Sequence, residues 1–447
     1  MIKFIIIIFT SILFRSVSSY GNPIAGKETT SPLYGGTAAV RNSAAAAQGN
    51  PANAAFLKTS EIDFEMTPYA EDSMRIRYPT LPTVNQKKNG FVMPSAPPTY
   101  IYKPSPNWGI NLLALPPMKV PFTIDKKEVP IIVLNTINNI DISAQPYIKA
   151  YASGIISYKF NRRFGLGLSF NYMALTADAS LKQGGSEITT AQLDQTTSSS
   201  RIGARFAAIP GRITIGAAAR IFTLNKTNLE LDSSALNSAT NTEDSEDEET
   251  DENGGIALVD NFLLGVLVSL GNLDINVDVA YQRPSTGKSM SLVKLKKVQK
   301  ETYATLAIRA GSKLELARRV SLLAAYQREP TGIGPGGASD GDLAGFGSYE
   351  ILEMYMFGGS LKPFTEMGLG MEVHMGSVIN KTKRKRQRKV GKQRKKSISQ
   401  FSPVYRSTLR FGLVYRKASL GIDEDGELPG AYSQTKTYIP LGISVRL

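Results

Sequence analysis

The chain contains one histidine, His374, and no cysteine. Any imidazole base must be that single residue, and disulfides, thiol catalysis, cysteine–zinc sites and lipidation at a cysteine are excluded. A hydrolase built on His374 would need a serine hydrogen-bonded to it, and no nucleophile-elbow motif is present. His374 alternates with Val373 and Met375, which puts it on the polar face of a strand rather than in a catalytic cleft. Gly332-Ile333-Gly334-Pro335-Gly336-Gly337 is glycine-rich, but it lies between strand patterns and opens no helix, so it reads as a loop and not a phosphate cradle. With no metal-ligand spacing either, the expectation is a protein that is not an enzyme, with no catalytic residue, no metal and no cofactor.

Two dense charge runs remain. Glu243 to Glu252 carries eight acidic residues. They repel one another and stay extended in water. Oxygen ligands could gather divalent cations there, but the calcium-loop spacing is absent. Lys381 to Lys396 carries eleven Lys or Arg and no acid, most of the net charge of +14. The isoelectric point near 9.6 therefore reports one loop and not a basic surface. No aromatic residue interleaves for base stacking, which argues against nucleic acid as a partner. If this run is outside the cell, phosphates of lipopolysaccharide are the natural counter-ions. A salt-sensitive attraction to the acidic run is the other option.

The elements that carry these residues begin with an export signal. Met1-Ile2-Lys3 is a short basic start, Phe4 to Phe14 an apolar run, and Val17-Ser18-Ser19 a set of modest residues suited to cleavage. Residues 1–19 are read as a signal peptide. The apolar run is shorter than the roughly 20 residues a spanning helix needs.

Beyond it, period-two alternation recurs. Phe164, Leu166, Leu168, Phe170 and Tyr172 alternate with Gly165, Gly167, Ser169 and Asn171. Leu273, Ile275, Val277, Val279 and Tyr281 alternate with Asp274, Asn276, Asp278 and Ala280. The same holds from Met367 to Met375, from Tyr405 to Arg416 and from Leu441 to Leu447. Such segments are strands with two unlike faces. Short turns are expected at Asn161 to Arg163, Pro210-Gly211, Gly271-Asn272, Ala317 to Arg319 and Lys362 to Phe364. Long polar loops are expected at Gly184 to Ser200, Asp232 to Gly255 and Glu329 to Asp342. Short turns at one end and long loops at the other describe an outer-membrane barrel. A soluble β-sandwich would alternate too. Strand length, apolar faces that persist opposite charged ones, and a chain that ends inside an alternating strand favour the barrel. Counting turns from Asn161 puts the basic run outside but leaves the final strand pointing the wrong way. The strand number near the C-terminus therefore stays open, with a strand missed or two merged after Gln400.

The segment ahead of the first strand is different. Gly35-Gly36-Thr37-Ala38-Ala39-Val40 leads into Ala44 to Ala47 and then Gly49-Asn50-Pro51-Ala52-Asn53-Ala54-Ala55-Phe56. Small residues dominate, as a segment packed inside a pore requires. From Gly35 to Phe56 the chain resembles the outer-membrane long-chain fatty acid and hydrocarbon transporter family, whose glycine- and alanine-rich N-terminal hatch carries an Asn-Pro-Ala motif. Here that motif is Asn50-Pro51-Ala52. The Pro-rich stretch Pro94 to Pro104, followed by Trp108-Gly109-Ile110, is similar to the family's early barrel. The resemblance implies an all-β fold: an antiparallel transmembrane β-barrel of about 14 strands with an N-terminal small-residue plug. It further implies an apolar ligand in the lumen and a lateral opening in the wall. Residues 20–60 are then the hatch, 61–447 the barrel, and Gly35, Gly36, Asn50, Pro51 and Ala52 the gating residues. The ligand-pocket residues of the family find no matching motif. Two features depart from it: the stretch Tyr20 to Tyr34 ahead of the hatch, and the two charge runs.

The function expected is transport of hydrophobic small molecules, fatty acids or hydrocarbons, across the cell outer membrane by a monomer. Its partners would be that ligand, membrane lipid and lipopolysaccharide. The alternative is a structural or adhesive barrel that binds surface polymers through its charged loops.

Overall fold

Inside a bilayer every backbone N–H and C=O must find a partner within the protein, and alternating strands achieve this only by closing into a ring. A computed structural model has that architecture. It describes residues 32–35, 37–41, 43–77, 84–115, 117–119, 124–133, 136–183, 186–232, 260–282, 285–291, 296–302, 304–330, 363–378, 405–422 and 430–447. The expected signal peptide, Gly36, Gly332 to Gly337, and both charge runs lie outside the described residues.

Strands β1 (Glu61–Arg77) and β2 (Val84–Ile101) form the first hairpin. The next wall strand comes in three pieces, β3 (Trp108–Leu115), β4 (Met118–Lys119) and β5 (Ile124–Val133). All three lie along β6 (Thr136–Lys159). Then come β7 (Phe164–Gln183), β8 (Ser186–Ile209), β9 (Ile213–Asp232), β10 (Asp260–Leu270) and β11 (Leu273–Gln282). A separate hairpin, β12 (Ser285–Ser291) with β13 (Lys296–Thr302), stands off the wall. The last five strands are β14 (Thr305–Ala317), β15 (Val320–Glu329), β16 (Phe364–Val378), β17 (Tyr405–Ile422) and β18 (Gly430–Arg446).

The wall order is β2-β1-β18-β17-β16-β15-β14-β11-β10-β9-β8-β7-β6-β3, an antiparallel barrel of 14 strands. The first and last strands pair, from Glu61 opposite Arg446 to Arg77 opposite Ala431. Among the described residues, the two ends of the path, β2 and β3, meet through one bridge, between Tyr102 and Ile110. The sequence explains this weak seam. Pro94, Pro97 and Pro98 fall in β2, and Pro116 and Pro117 follow β3 directly. Proline has no N–H to donate, so the backbone lacks ladder donors at these positions.

The expected faces are observed. Leu166, Leu168 and Phe170 are exposed on the outside while Gly165, Gly167 and Ser169 are buried inside. Leu369, at 70 % exposed, and Leu413, at 54 %, belong to the same outer apolar surface. A water-soluble protein would not leave so many large apolar side chains uncovered in one band.

Two sequence expectations are corrected. Residues 186–200 are not a loop but the upper half of β8, paired with β7 down from Gln183–Ser186. Their polar composition does not prevent a ladder, because the ladder uses backbone groups that every residue carries. At about 3.3 Å per residue, the 24 residues of β8 exceed the roughly 9–11 needed to cross a bilayer. The second correction concerns Lys362 to Phe364. Phe364 pairs with Glu329, so this point lies at the long-loop end, not at the short-turn end. The strand count then closes, with β18 running toward the end that carries the short turns. Because Val320 pairs with Val373, β16 runs toward that same end. The connection from Val378 to Tyr405, which contains the basic run, therefore leaves from the short-turn end. The connection from Asp232 to Asp260, which contains the acidic run, leaves from the opposite one.

Candidate functional site

Residues 32–35, 37–41 and 43–57 lie against inward-facing positions of the wall strands. A 3-10 turn, Pro32–Tyr34, is followed by two one-turn helices, Ala46–Gly49 and Asn53–Phe56. Ala38, Ala39, Ala44, Ala46, Ala47, Ala52, Ala54 and Ala55 are all fully buried. Four-residue helices have no stability of their own, so the wall must hold this segment in place.

The wall does so partly by giving way. At Gly203 an added Cβ would collide with the Asn50 side chain, at Gly167 with Pro51 and Ala52, and at Gly109 with Ala54. At Gly216 it would strike Ala39, at Gly311 Tyr34, and at Gly412 the side chain of Leu33. These inward glycines are thus seats for the inner segment, spread over β3, β7, β8, β9, β14 and β17; of the six, Gly167 and Gly412 stand in the alternating runs read from the sequence.

Side chains complete the attachment. Asn50 Nδ2 donates to the carbonyls of Ala39 at 2.6 Å and Ala204 at 3.0 Å, and its Oδ1 accepts from Ala52 N–H. Asn50 is therefore a clasp between two parts of the inner segment and β8. Pro51, following it, starts the second turn in a position where no N–H is needed. Asn53 repeats the device: it donates to Ala38 O at 2.6 Å and accepts from Arg205 Nη1 at 3.1 Å. Arg205 lies 4.7 Å over the Phe56 ring. Asp278 Oδ2 accepts from both Ala38 N–H and Ala39 N–H, at 2.5 and 2.8 Å, and Glu61 accepts from Ala44 N–H at 2.9 Å. Arg201 donates to Gly49 O at 2.8 Å. Lys103, in the turn after β2, donates to Ala55 O at 2.7 Å. Burial there, with Lys159 nearby, pulls the Lys103 ammonium down to about 8.

Of the expected gating residues, the fold brings Asn50, Pro51 and Ala52 together against Gly203 and Gly167. Gly35 sits on the other side of the lumen. It has φ +68°, and a side chain there would strike Ala310 O; both facts require glycine. Asn53, Glu61, Arg205 and Asp278 were not singled out from sequence. Their only signal was polarity on the inward side of an alternating strand, or adjacency to the Asn-Pro-Ala motif.

The lumen wall is divided in charge. Along β1 and β14 to β18 it is ionic. Arg410 pairs with Asp63 at 2.5 Å and donates to Ser444. Arg416 and Tyr438 share Glu366, and Arg309 pairs with Glu329 at 2.7 Å. Tyr34 plugs into this half: its hydroxyl donates to Glu372, which also holds Lys313, and Arg41 stacks 3.4 Å over its ring. Burial, with Glu372 beside it, pushes the Tyr34 phenol far above its usual range. His374 belongs to the same network, with Nδ1 3.1 Å from Thr408 Oγ1 and Nε2 3.2 Å from Glu372. Over residues 109–113 of β3, 151–157 of β6 and 167–173 of β7 the inward side chains carry no charge; Lys159, at the end of β6, lies over the Phe56 ring. Gly109, Asn111, Leu113, Tyr151, Ser153, Ile155, Ser157, Gly167, Ser169, Asn171 and Met173 face inward in these stretches. Ala44, Ala47, Ala54 and Leu57 of the inner segment pack with Ile155 and Ile101. Apolar cargo would be tolerated beside this sector and rejected by the ionic one.

No protein-family model and no curated protein matches the sequence. Solved structures do match over nearly the whole chain. A Pseudomonas aeruginosa FadL homologue aligns with TM-score 0.54 at 12 % identity, over 96 % of this chain and 99 % of the other. A mutant of TodX, described as a monoaromatic hydrocarbon channel, aligns with TM-score 0.52 at 11 % identity, over 94 % and 99 %. The Pseudomonas putida toluene transporter TodX itself gives 0.49 at 10 % identity, over 95 % and 99 %. The chain thus shares the fold of the FadL homologue; among the described residues no helix is long and apolar enough to cross a membrane.

Proposed function

We propose that the protein carries hydrophobic small molecules, fatty acids or hydrocarbons, across an outer membrane, with residues 32–57 as the gate. The observation that carries this reading is the inner segment itself. It consists of small residues, has no independent stability, and is attached to the wall through a few clasps such as Asn50, Asn53 and Asp278. A structural barrel has no use for a removable filling. The similar proteins named for FadL and for monoaromatic hydrocarbon or toluene transport suggest the ligand class. Gly35, Gly36, Asn50, Pro51 and Ala52 are proposed as gating residues, and the β2–β3 seam as the lateral exit, since the uncharged wall sector borders it. The short-turn end faces the periplasm, and one chain closes the ring, so the working unit is a monomer embedded in lipid.

The adhesive alternative loses its main support. The strands flanking the acidic run and those flanking the basic run end at opposite ends of the barrel. The expectation of lipopolysaccharide on the basic run depended on an external position and is not carried forward.

The test is purified protein in lipid bilayers. The full chain should bind radiolabelled palmitate or toluene and show no steady ion conductance, whereas a chain lacking residues 32–57 should conduct. A full-length protein that conducts ions and binds neither ligand would overturn the proposal.

A further inference from the structure

Asn111 lies on the inward face of β3, two residues from the glycine on which Ala54 rests. It is 3 % exposed, and neither its amide nitrogen nor its amide oxygen has a hydrogen-bond partner. Its cross-strand neighbour is Ile155, which packs with Ile101, Leu57 and Ala54 in one apolar cluster. Of the neighbouring polar groups, Ser153 donates to Asn171 and Ser157 to Gly109 O, while the Ser169 hydroxyl, across Ile155 on the same row, is likewise unpartnered. A primary amide offers two donors and two acceptor sites. Left without partners in apolar surroundings it destabilises the fold, and a leucine of similar size would serve the packing better. Its position gives the amide a use. β3 is the edge strand of the seam, and its pairing toward β2 ends at Ile110, one residue before Asn111. The next residue, Leu112, is 85 % exposed on the outer face. A molecule leaving the uncharged sector for the seam passes the Asn111 side chain once the helix Asn53–Phe56 shifts off Gly109.

We infer that Asn111 is a specificity-determining residue at the seam, which hydrogen-bonds the polar end of an otherwise apolar ligand and so favours alcohols and carboxylic acids over plain hydrocarbons. This rests on the transport reading above. An amide meets either head group, since it donates to a carboxylate and both donates to and accepts from a hydroxyl. Discrimination by a buried polar group arises because a ligand without a matching group leaves it unpartnered.

The test compares two probes of equal chain length, radiolabelled 1-decanol and n-decane, bound to the full chain in lipid nanodiscs above the level of empty discs. The wild type should prefer decanol. Asn111→Leu should fold at least as well, lose about tenfold in decanol affinity, the worth of one net hydrogen bond, and keep its decane affinity. Asn111→Gln, which keeps the amide, should retain a preference for decanol. If Asn111→Leu binds both probes as the wild type does, or weakens both equally, the inference fails while the transport reading stands. If the wild type binds neither probe above empty discs, both fail.

Discussion

Gly203 of β8 faces the side-chain carbonyl of Asn50 at a separation that leaves no room for a β-carbon. The wall and the inner segment are therefore complementary at the level of single methyl groups. Gly203→Ala should push the Asn50 clasp off Ala204 and loosen residues 38–54 without unfolding the ring. The cost of such overpacking is about 1–3 kcal/mol. Hydrogen exchange should quicken at the amides of Ala39 and Ala52, while amides of β10 and β11 keep their protection. Unchanged exchange at Ala39 and Ala52 would count against the glycine seats.

Asn50→Ala and Asn53→Ala each strip buried carbonyls of a donor. Asn50→Ala takes the side-chain donor from Ala39 O and cuts the clasp to Ala204 O, and Asn53→Ala takes the donor from Ala38 O and the amide acceptor from Arg205. Each should destabilise the attachment by about 1–3 kcal/mol. The two changes act on one contact set, so the double variant should cost less than the sum of the singles. Opening free energies from native-state exchange, measured for both singles and the double, decide the matter. Strict additivity would mean the two asparagines work independently.

Arg410 and Asp63 form a buried pair that ties β17 to β1 across β18. Removing one partner strands a charge. Arg410→Met alone should cost about 3–5 kcal/mol, and Arg410→Met with Asp63→Leu markedly less. Urea unfolding in detergent, followed by the shift in electrophoretic mobility between folded and unfolded barrel, reads both. A double variant as unstable as the single would show that the pair is not coupled in this way.

Lys103 supplies the pH dependence. Its folded value of about 8 lies below that of an ordinary lysine near 10.4. The charged form is therefore disfavoured on folding. The penalty is fully present below pH 8 and disappears as pH rises from about 8 to the ordinary lysine value. At pH 8 about half of Lys103 is neutral, against a very small fraction of a surface lysine. Acylation with an activated ester at pH 8, mapped by mass spectrometry, should mark Lys103 ahead of exposed lysines such as Lys149. In Asn53→Ala, where the helix it caps is loosened, that preference should weaken. Equal labelling of Lys103 and Lys149 in the parent protein would contradict the shifted titration.

Much of the architecture is decided locally and could be read along the chain. Alternation such as Leu166-Gly167-Leu168-Ser169 selects a strand with one face for lipid and one for the lumen, because successive side chains point to opposite sides. The small residues from Gly35 to Ala55 announce a segment that packs where bulk is excluded, and Asn50-Pro51-Ala52 marks its clasp. Polarity misled where it was taken for irregularity: residues 186–200 look like a loop, yet their ladder with β7 depends on backbone groups that every residue carries. Other features depend on contacts between residues distant in sequence. The pairing of Phe364 with Glu329 decides which end each charged connection leaves from, and nothing adjacent to either residue encodes it. Asp278 was visible as an inward acid, but its partners, the amides of Ala38 and Ala39, lie some 240 residues earlier. The surroundings of Asn111 likewise depend on Ile155, its neighbour across the ladder and some 44 residues later in the chain. Such relationships are properties of the closed ring, since only closure brings first strand to last and the inner segment to every wall at once.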